Sequence, residues 1–287
     1  MKEILSRAVT ALAALLQPRD TLVWDGKCAA GIHIIVARGS TEAPGLGRAA
    51  PVANNATLLI PGSSIATVDY PATFENYFVS QATAASEFER LVLEHVEACP
   101  NTKIALIGYS QGAHALMDSI CGGAADGYRV PENLTKALES QVVANILFGD
   151  PSHTAGAPWN SGTSNKTGLF ARNNVTACEP FADRIRSYCD TGDVYCDLGN
   201  VSAVHGSYFA TYSTDAAEFI AKQFEEVQLT PSGSNGTDTG SGSTTTQPTG
   251  GAPTETLAES GARAIARTSW MGVLAGVVGT VGFLGML

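Results

Sequence analysis

The chain has 287 residues, 44% of them apolar, a formal charge of −10 and six cysteines. The apolar share is enough for a substantial core, and the length allows one large domain or two small ones. The acidic balance, with no basic run, speaks against nucleic acid as a partner.

In chain order, residues 1–16 carry Lys2 and Arg7 ahead of an apolar stretch, the layout of a secretory signal peptide, and residues 1–19 are read as one. A short N-terminal helix is the plainer alternative. Cys28 opens the folded part, taken as residues 20–229. Residues 32–37 read as a buried strand that runs into Arg38-Gly39-Ser40-Thr41-Glu42. In a nucleophile-elbow architecture, such a strand-end turn supplies the second oxyanion donor. Residues 44–71 are rich in Gly, Pro and Asn around one strand-like run, 57–60. Residues 80–98 read as a helix with Phe88, Leu91, Val92 and Val96 on its apolar stripe.

The stretch 104–114 holds the strongest motif. An apolar run, 104–107, breaks into Gly108-Tyr-Ser110-Gln-Gly112, and a helix follows with Ala113, Leu116, Met117 and Ile120 on one face. Strand, G-x-S-x-G and helix together are the signature of a strained serine nucleophile elbow. Cys121-Gly-Gly stops that helix, and residues 142–148 read as another buried strand. A long polar loop, 152–181, contains Trp159 and Cys178; a short strand follows at 184–188, then Cys189-Asp-Thr-Gly-Asp193-Val-Tyr-Cys196 and His205. Residues 215–227 form an amphipathic closing helix capped by Thr214 or Ser213. Alternating strands and helices predict a parallel, doubly wound α/β sheet with helices on both faces.

Composition shifts at Thr230. Residues 230–260 are rich in Ser, Thr, Gly and Pro and read as a disordered, glycosylated stalk. Residues 261–287 end in an apolar, Gly-rich tail after Ser260-Gly261-Ala262, the layout of a GPI-attachment signal with Ser260 as the attachment residue. The rivals are a membrane span pairing through Gly272-x-x-x-Gly276 and a hydrophobic tail without function. Six sequons, at Asn55, Asn133, Asn165, Asn174, Asn200 and Asn235, join the even cysteine count in pointing to an extracellular, secreted or surface-anchored glycoprotein.

A serine nucleophile needs a base, and the base an orienting acid, in the order Ser, acid, His. His33 and His95 precede the serine, His114 is locked to the elbow helix, and His153 follows a strand too closely to leave room for an acid before it. His205, just ahead of the closing helix, is the expected base. Among Asp150, Asp183, Asp190, Asp193 and Asp197, the acid is read as Asp193, in a loop that Cys189 and Cys196 could close into a small ring. Asp190 is second, Asp150 comes one strand early, and Asp183 and Asp197 read as surface charges.

Four motifs in order, Ala37-Arg-Gly-Ser-Thr-Glu42, Gly108-Tyr-Ser-Gln-Gly112, Phe148-Gly-Asp150 and Cys189-Asp-Thr-Gly-Asp193-Val-Tyr-Cys196 with His205, resemble the cutinase and acetylxylan esterase family of small secreted fungal serine esterases. The likeness spans about residues 28–228. It implies a lid-less single-domain α/β-hydrolase with Ser110, Asp193 and His205 as triad. It also implies an oxyanion hole from the backbone N–H groups of Ser40 and Gln111, and disulfides Cys28–Cys99, Cys121–Cys178 and Cys189–Cys196. Asp69-Tyr70-Pro71-Ala72, Gly149-Asp150-Pro151 and Ser187-Tyr188-Cys189-Asp190 echo the acetylxylan esterase branch, while Asp197 stands where that branch carries a second cysteine.

The expected activity is deacetylation of plant polysaccharide by a monomeric enzyme that needs no metal or organic cofactor and meets a membrane only through its anchor. Tyr70 and Trp159 are candidate sugar-stacking platforms, with plain loop packing the commoner role of such amphipathic rings. The alternative is a cutinase acting on lipid polyesters, with Leu198, Val201 and Val204 as an apolar rim that a glycan on Asn200 would crowd. A catalytically inactive cell-wall binding protein is the reading from another class.

Overall fold

The computed structural model describes residues 24–123 and 129–229. The signal peptide, the stalk, the GPI tail with Ser260 and the sequon at Asn235 lie outside the described residues.

Six strands form one sheet: β1 (Ile32–Ala37), β2 (Ser64–Thr67), β3 (Lys103–Tyr109), β4 (Val142–Phe148), β5 (Asn160–Ser161) and β6 (Ile185–Tyr188), in the order β2-β1-β3-β4-β6-β5. Every pairing is parallel. β1 and β4 are buried along their whole length, as the near-continuous apolar runs of a sheet covered on both faces require.

Successive strand residues point to opposite faces, and each face has its own core. On one, Ile35, Leu106 and Leu147 pack beneath α2 (Tyr77–Ala98), α3 (Gln111–Cys121) and α4 (Glu132–Ser140), which contribute Phe88, Leu116 and Leu138. On the other, Ile34, Ile107 and Ile146 meet α1 (Ala50–Leu59) and α6 (Tyr208–Leu229) through Ala56 and Ile220. A single turn, α5 (Ser202–His205), precedes α6, and 3-10 turns run over Gly47–Ala49 and Thr176–Arg184. One parallel sheet with helices on both faces is the α/β architecture expected from the sequence.

Three local expectations change. Residues 57–60 are not a strand. Residues 57–59 close α1, where Pro51 sits in the first turn at no hydrogen-bond cost and Val52, Ala53 and Ala56 make the buried face. Leu58 and Leu59, which made the run look β-like, face solvent. The closing helix begins at Tyr208, so Ser213 and Thr214 lie inside it and cap nothing; buried Tyr208 and Phe209 extend the apolar stripe backwards. The loop 152–181 contains β5, which adds a strand to the sheet edge beyond β6. α4, absent from the sequence reading, is held by buried Leu134, Ala137 and Leu138.

The cysteines pair as Cys28–Cys99, Cys121–Cys178 and Cys189–Cys196. The last closes a short ring directly after β6.

Candidate active site

β3 delivers Ser110 to the carboxyl edge of the sheet, and the turn into α3 is too tight for ordinary backbone. Ser110 has φ 54° and ψ −117°, a sparsely populated region that costs about 1–3 kcal/mol. Its flanking glycines make the turn possible. A Cβ on Gly108 would stand 2.6 Å from Ala113 Cα, and one on Gly112 2.5 Å from the Arg38 carbonyl oxygen. The elbow is pinned by Ser110 N–H donating to the Phe148 carbonyl (2.9 Å) and by the Ala113 and His114 N–H groups donating back to the Ser110 carbonyl.

His205 reaches this serine from α5. Its Nε2 lies 2.8 Å from Ser110 Oγ and its Nδ1 2.8 Å from Asp193 Oδ2. With Nδ1–H donating to the carboxylate, Nε2 is the free lone pair facing the hydroxyl. Backbone and ring contacts fix the imidazole: Tyr109 O–H donates to the His205 carbonyl at 2.9 Å, and Tyr195 stands edge-on at 4.6 Å between centroids. Gly149, at φ 58°, leaves the space a Cβ would take 2.8 Å from His205 Cε1.

Asp193 is fully buried, and both its oxygens are engaged. Oδ1 accepts from the N–H groups of Tyr195 (2.7 Å) and Cys196 (3.1 Å); Oδ2 accepts from Tyr208 O–H at 2.6 Å besides His205. Burial alone would raise this carboxyl, but the donors from His205, Tyr208 and Tyr195 outweigh it and hold it below the ordinary carboxylate value. Burial, reinforced by the Asp193 charge, lifts the Tyr208 phenol well above its usual range, so it stays a donor.

The turn after β1 lies against the nucleophile: a Cβ on Gly39 would stand 3.4 Å from Ser110 Cβ. Glu42 braces that turn by accepting from Gly39 N–H at 2.7 Å, and Arg38 donates to the Glu42 and Tyr70 carbonyls. In the same turn, Ser40 Oγ is buried with no hydrogen-bond partner among the described residues. Gln111 heads α3, where helix N–H groups carry partial positive charge. Its buried side chain donates to the Thr73 and Tyr77 carbonyls and accepts from Ser80, which ties the 73–77 segment to the elbow.

Beside Ser110 opens a crevice of about 200 Å³ lined by Phe74, Tyr77, Pro151, Leu169, Phe170 and Tyr195. A larger hollow of about 670 Å³ lies around Gly122, Arg129 and Phe181 and borders none of Ser110, His205 or Asp193.

The remaining candidates stand elsewhere. His33 is on β1 and His95 on α2, in ring contact with each other, and His114 faces Tyr77. His153 is buried with neither ring nitrogen bonded. Asp150 is engaged by Ser152, Asp190 by Thr163 and Tyr212, and Asp183 is exposed. Asp197 is not a surface charge: its side chain is buried and accepts from Ser164 Oγ and Gly192 N–H, so it shapes the acid-bearing loop. Tyr70 and Trp159 are not sugar platforms. Both pack into the core, and Tyr70 O–H donates to the Arg38 carbonyl at 2.5 Å. Leu198 and Val201 are exposed, and so is Asn200.

Tyr208 and the crevice walls escaped the sequence reading. The one available cue for Tyr208 was an aromatic three residues beyond the base; nothing in the order of residues brings Phe74, Leu169 and Tyr195 together. Among the described residues, no group of three or more His, Cys, Asp or Glu side chains is placed to hold a metal ion.

Comparison with known proteins gives a consistent picture. The family model described as Cutinase matches residues 28–224. An acetylxylan esterase of Hypocrea jecorina is 33% identical over 238 residues, covering 78% of each chain. Cutinase 11 of Verticillium dahliae is 34% identical over 199 residues, covering 66% of this chain and 67% of its own. The solved catalytic core domain of acetyl xylan esterase from Trichoderma reesei matches at 33% identity with a TM-score of 0.63, covering 69% of this chain and all of its own.

Proposed function

The chain belongs to the cutinase family and is a serine carboxylic ester hydrolase, and from that premise we propose a two-step hydrolysis carried by Ser110, His205 and Asp193. His205 Nε2 takes the Ser110 proton as Oγ attacks the ester carbonyl. Asp193 keeps the Nδ1–H tautomer and stabilises the imidazolium that forms. The backbone N–H groups of Ser40 and Gln111, aided by the Ser40 hydroxyl and the N-terminus of α3, receive the oxyanion. The alcohol leaves with the proton from His205, and water activated by the same imidazole releases the acid. What carries this reading is the continuous series Asp193 Oδ2, His205 Nδ1, His205 Nε2, Ser110 Oγ, its two hydrogen bonds each 2.8 Å, ending on a strained elbow.

The substrate we propose is an acetyl ester on a polysaccharide. Support comes from similarity to acetylxylan esterases of Hypocrea jecorina and, at 32% identity, Talaromyces purpureogenus. The crevice of about 200 Å³ holds roughly half a dozen groups of water size, enough for a short acyl chain and too little for a fatty one. A second reading, hydrolysis of cutin or medium-chain polyesters, is favoured by exposed Phe74 and Leu169 at the crevice and by Phe78 and Val79 beyond them. In the same proposal the enzyme acts outside the cell as a monomer, which suits three disulfides and sequons whose described members are exposed or half-buried. In this proposal residues 1–19 are its signal peptide, 20–229 the hydrolase, 230–260 a stalk and 261–287 a GPI-attachment propeptide whose removal leaves the anchor on Ser260.

Initial rates on p-nitrophenyl esters from acetate to palmitate, with Ser110→Ala as control, test this. Rates that fall steeply beyond acetate support the acetyl ester. A maximum at butyrate or longer transfers the reading to polyesters. No activity on any ester, together with no labelling of Ser110 by a fluorophosphonate, would leave a cell-wall binding protein.

A further inference from the structure

Two walls of the crevice, Tyr77 at the start of α2 and Phe170 beyond β5, rest on one imidazole. His114, one turn past Ser110 on α3, is fully buried, with Nδ1 3.2 Å from the Tyr77 hydroxyl. Its ring is nearly parallel to that of Phe170, at an interplanar angle of 22° and 5.6 Å between centroids. Burial and the nearby Arg172 charge keep it neutral, lowered to about 3; with its one proton on Nε2, the nitrogen turned toward the Asp118 carboxylate, Nδ1 accepts the phenol hydrogen. Nε2–H then faces Asp118 Oδ2 at 3.7 Å. Asp118 accepts from Gln81 Nε2 at 2.8 Å and is ion-paired with Arg172, which also donates to the Gly122 carbonyl at the end of α3. Arg172 stands two residues from Phe170 in the chain, so both walls are tied through this cluster to the helix that carries the nucleophile.

A buried ion pair is a poor source of stability, because desolvation offsets much of its attraction; its directional bonds instead impose one geometry on what they touch. Apolar packing would have held α2 against α3 as firmly. Here one bond ends on Tyr77 and a ring contact on Phe170, both of which line the crevice beside Ser110.

We propose that the His114–Asp118–Arg172 brace fixes the width of the acyl crevice and so sets the acyl-chain length that is hydrolysed, with His114 as a positioning residue acting through Tyr77 and Phe170. This rests on Ser110 being the nucleophile. The test is kcat and KM on p-nitrophenyl acetate, butyrate, hexanoate and octanoate for the wild type, His114→Phe, His114→Gln, Tyr77→Phe and Ser110→Ala. His114→Phe keeps the ring stacked on Phe170 but removes the acceptor that holds Tyr77. The kcat/KM ratio of hexanoate to acetate is expected to rise about tenfold, chiefly through KM for the longer ester. His114→Gln, whose amide oxygen takes the same phenol hydrogen, should bring the ratio back toward wild type. Tyr77→Phe, which removes only the hydroxyl, should move it as His114→Phe does and stands in should that variant not fold. An unchanged ratio, or an equal loss on every ester, would overturn the brace while leaving Ser110 as nucleophile. Activity surviving in Ser110→Ala would instead overturn the nucleophile on which the inference rests.

Discussion

The two ends of the parallel sheet carry buried imidazoles of opposite character. At the carboxyl end, His205 has both ring nitrogens engaged, one by Asp193 and one by Ser110. At the amino end, His33 on β1 and His95 on α2 stack face to face, 3.9 Å apart and 2° from parallel, with Trp24 tilted over His95 at 4.8 Å. His33 meets only Ser64 Oγ through Nδ1, and both nitrogens of His95 are buried without a partner. Burial holds both rings neutral, His33 to about 3 with the neighbouring His95 adding to the effect, and His95 to about 4. Being buried therefore does not distinguish a base from a packing residue. What sets His205 apart is a carboxylate hydrogen-bonded to one ring nitrogen and the Ser110 hydroxyl on the other, because the carboxylate selects the tautomer and favours the cation that proton transfer creates.

The sharpest way to break that contrast is Asp193→Asn, which keeps the shape and removes the charge. The amide forces the wrong tautomer on His205, and kcat should fall about 10⁴-fold with little change in melting temperature. A loss under tenfold would mean that the carboxylate is not the orienting acid.

The amino-end pair gives the next effect, in stability. Above pH 6.5 the rings are neutral in folded and unfolded chains, and titration contributes nothing. Below it the unfolded chain binds protons that buried His33 and His95 refuse. The fold then loses about 1.4 kcal/mol per pH unit for each ring until pH falls to their lowered values near 4 and 3. His95→Phe removes one such group and two unpartnered nitrogens, so its melting temperature should fall less steeply between pH 6.5 and 4 than that of the wild type. Parallel slopes would show that the pair does not limit acid stability.

The smallest effect belongs to Tyr208→Phe. With one donor fewer, Asp193 becomes more basic and holds the imidazolium more tightly. The acidic limb of kcat/KM should move to higher pH by about half a unit, and the rate should fall a few-fold as Asp193 loses one of the donors that hold it in place. A fall in rate with an unmoved limb would reduce Tyr208 to packing.

Much of the sheet could be read in advance, since β1, β3 and β4 are runs of Ile, Val, Leu and Ala that no exposed element tolerates. α1 was missed because Leu58 and Leu59 look like strand residues until their exposure is known, and α4 because its apolar face is only Leu134, Ala137 and Leu138. Within the site, Ser110 announces itself through Gly108 and Gly112, whose missing Cβ atoms the elbow needs. Asp197 misled because an Asp in a polar loop looks solvated; only the folded loop shows Ser164 and Gly192 closing over it. Tyr70 and Trp159 take the packing role open to amphipathic rings, absorbed by the core.

From residue order alone came the parallel α/β plan, the elbow and the choice of His205 among the histidines, because local periodicity and chain order constrain them; Asp193 stands out among the aspartates through the small ring that Cys189 and Cys196 could close. The tertiary structure alone decided that Tyr208 shares an Asp193 oxygen with His205 and that His114 lies behind Tyr77 and Phe170. It also decided which of Phe74, Leu169 and Tyr195 would meet at one crevice. Those side chains come from segments far apart in sequence, and what joins them is the packing of α2, α3 and α6 on the sheet, which no local pattern encodes.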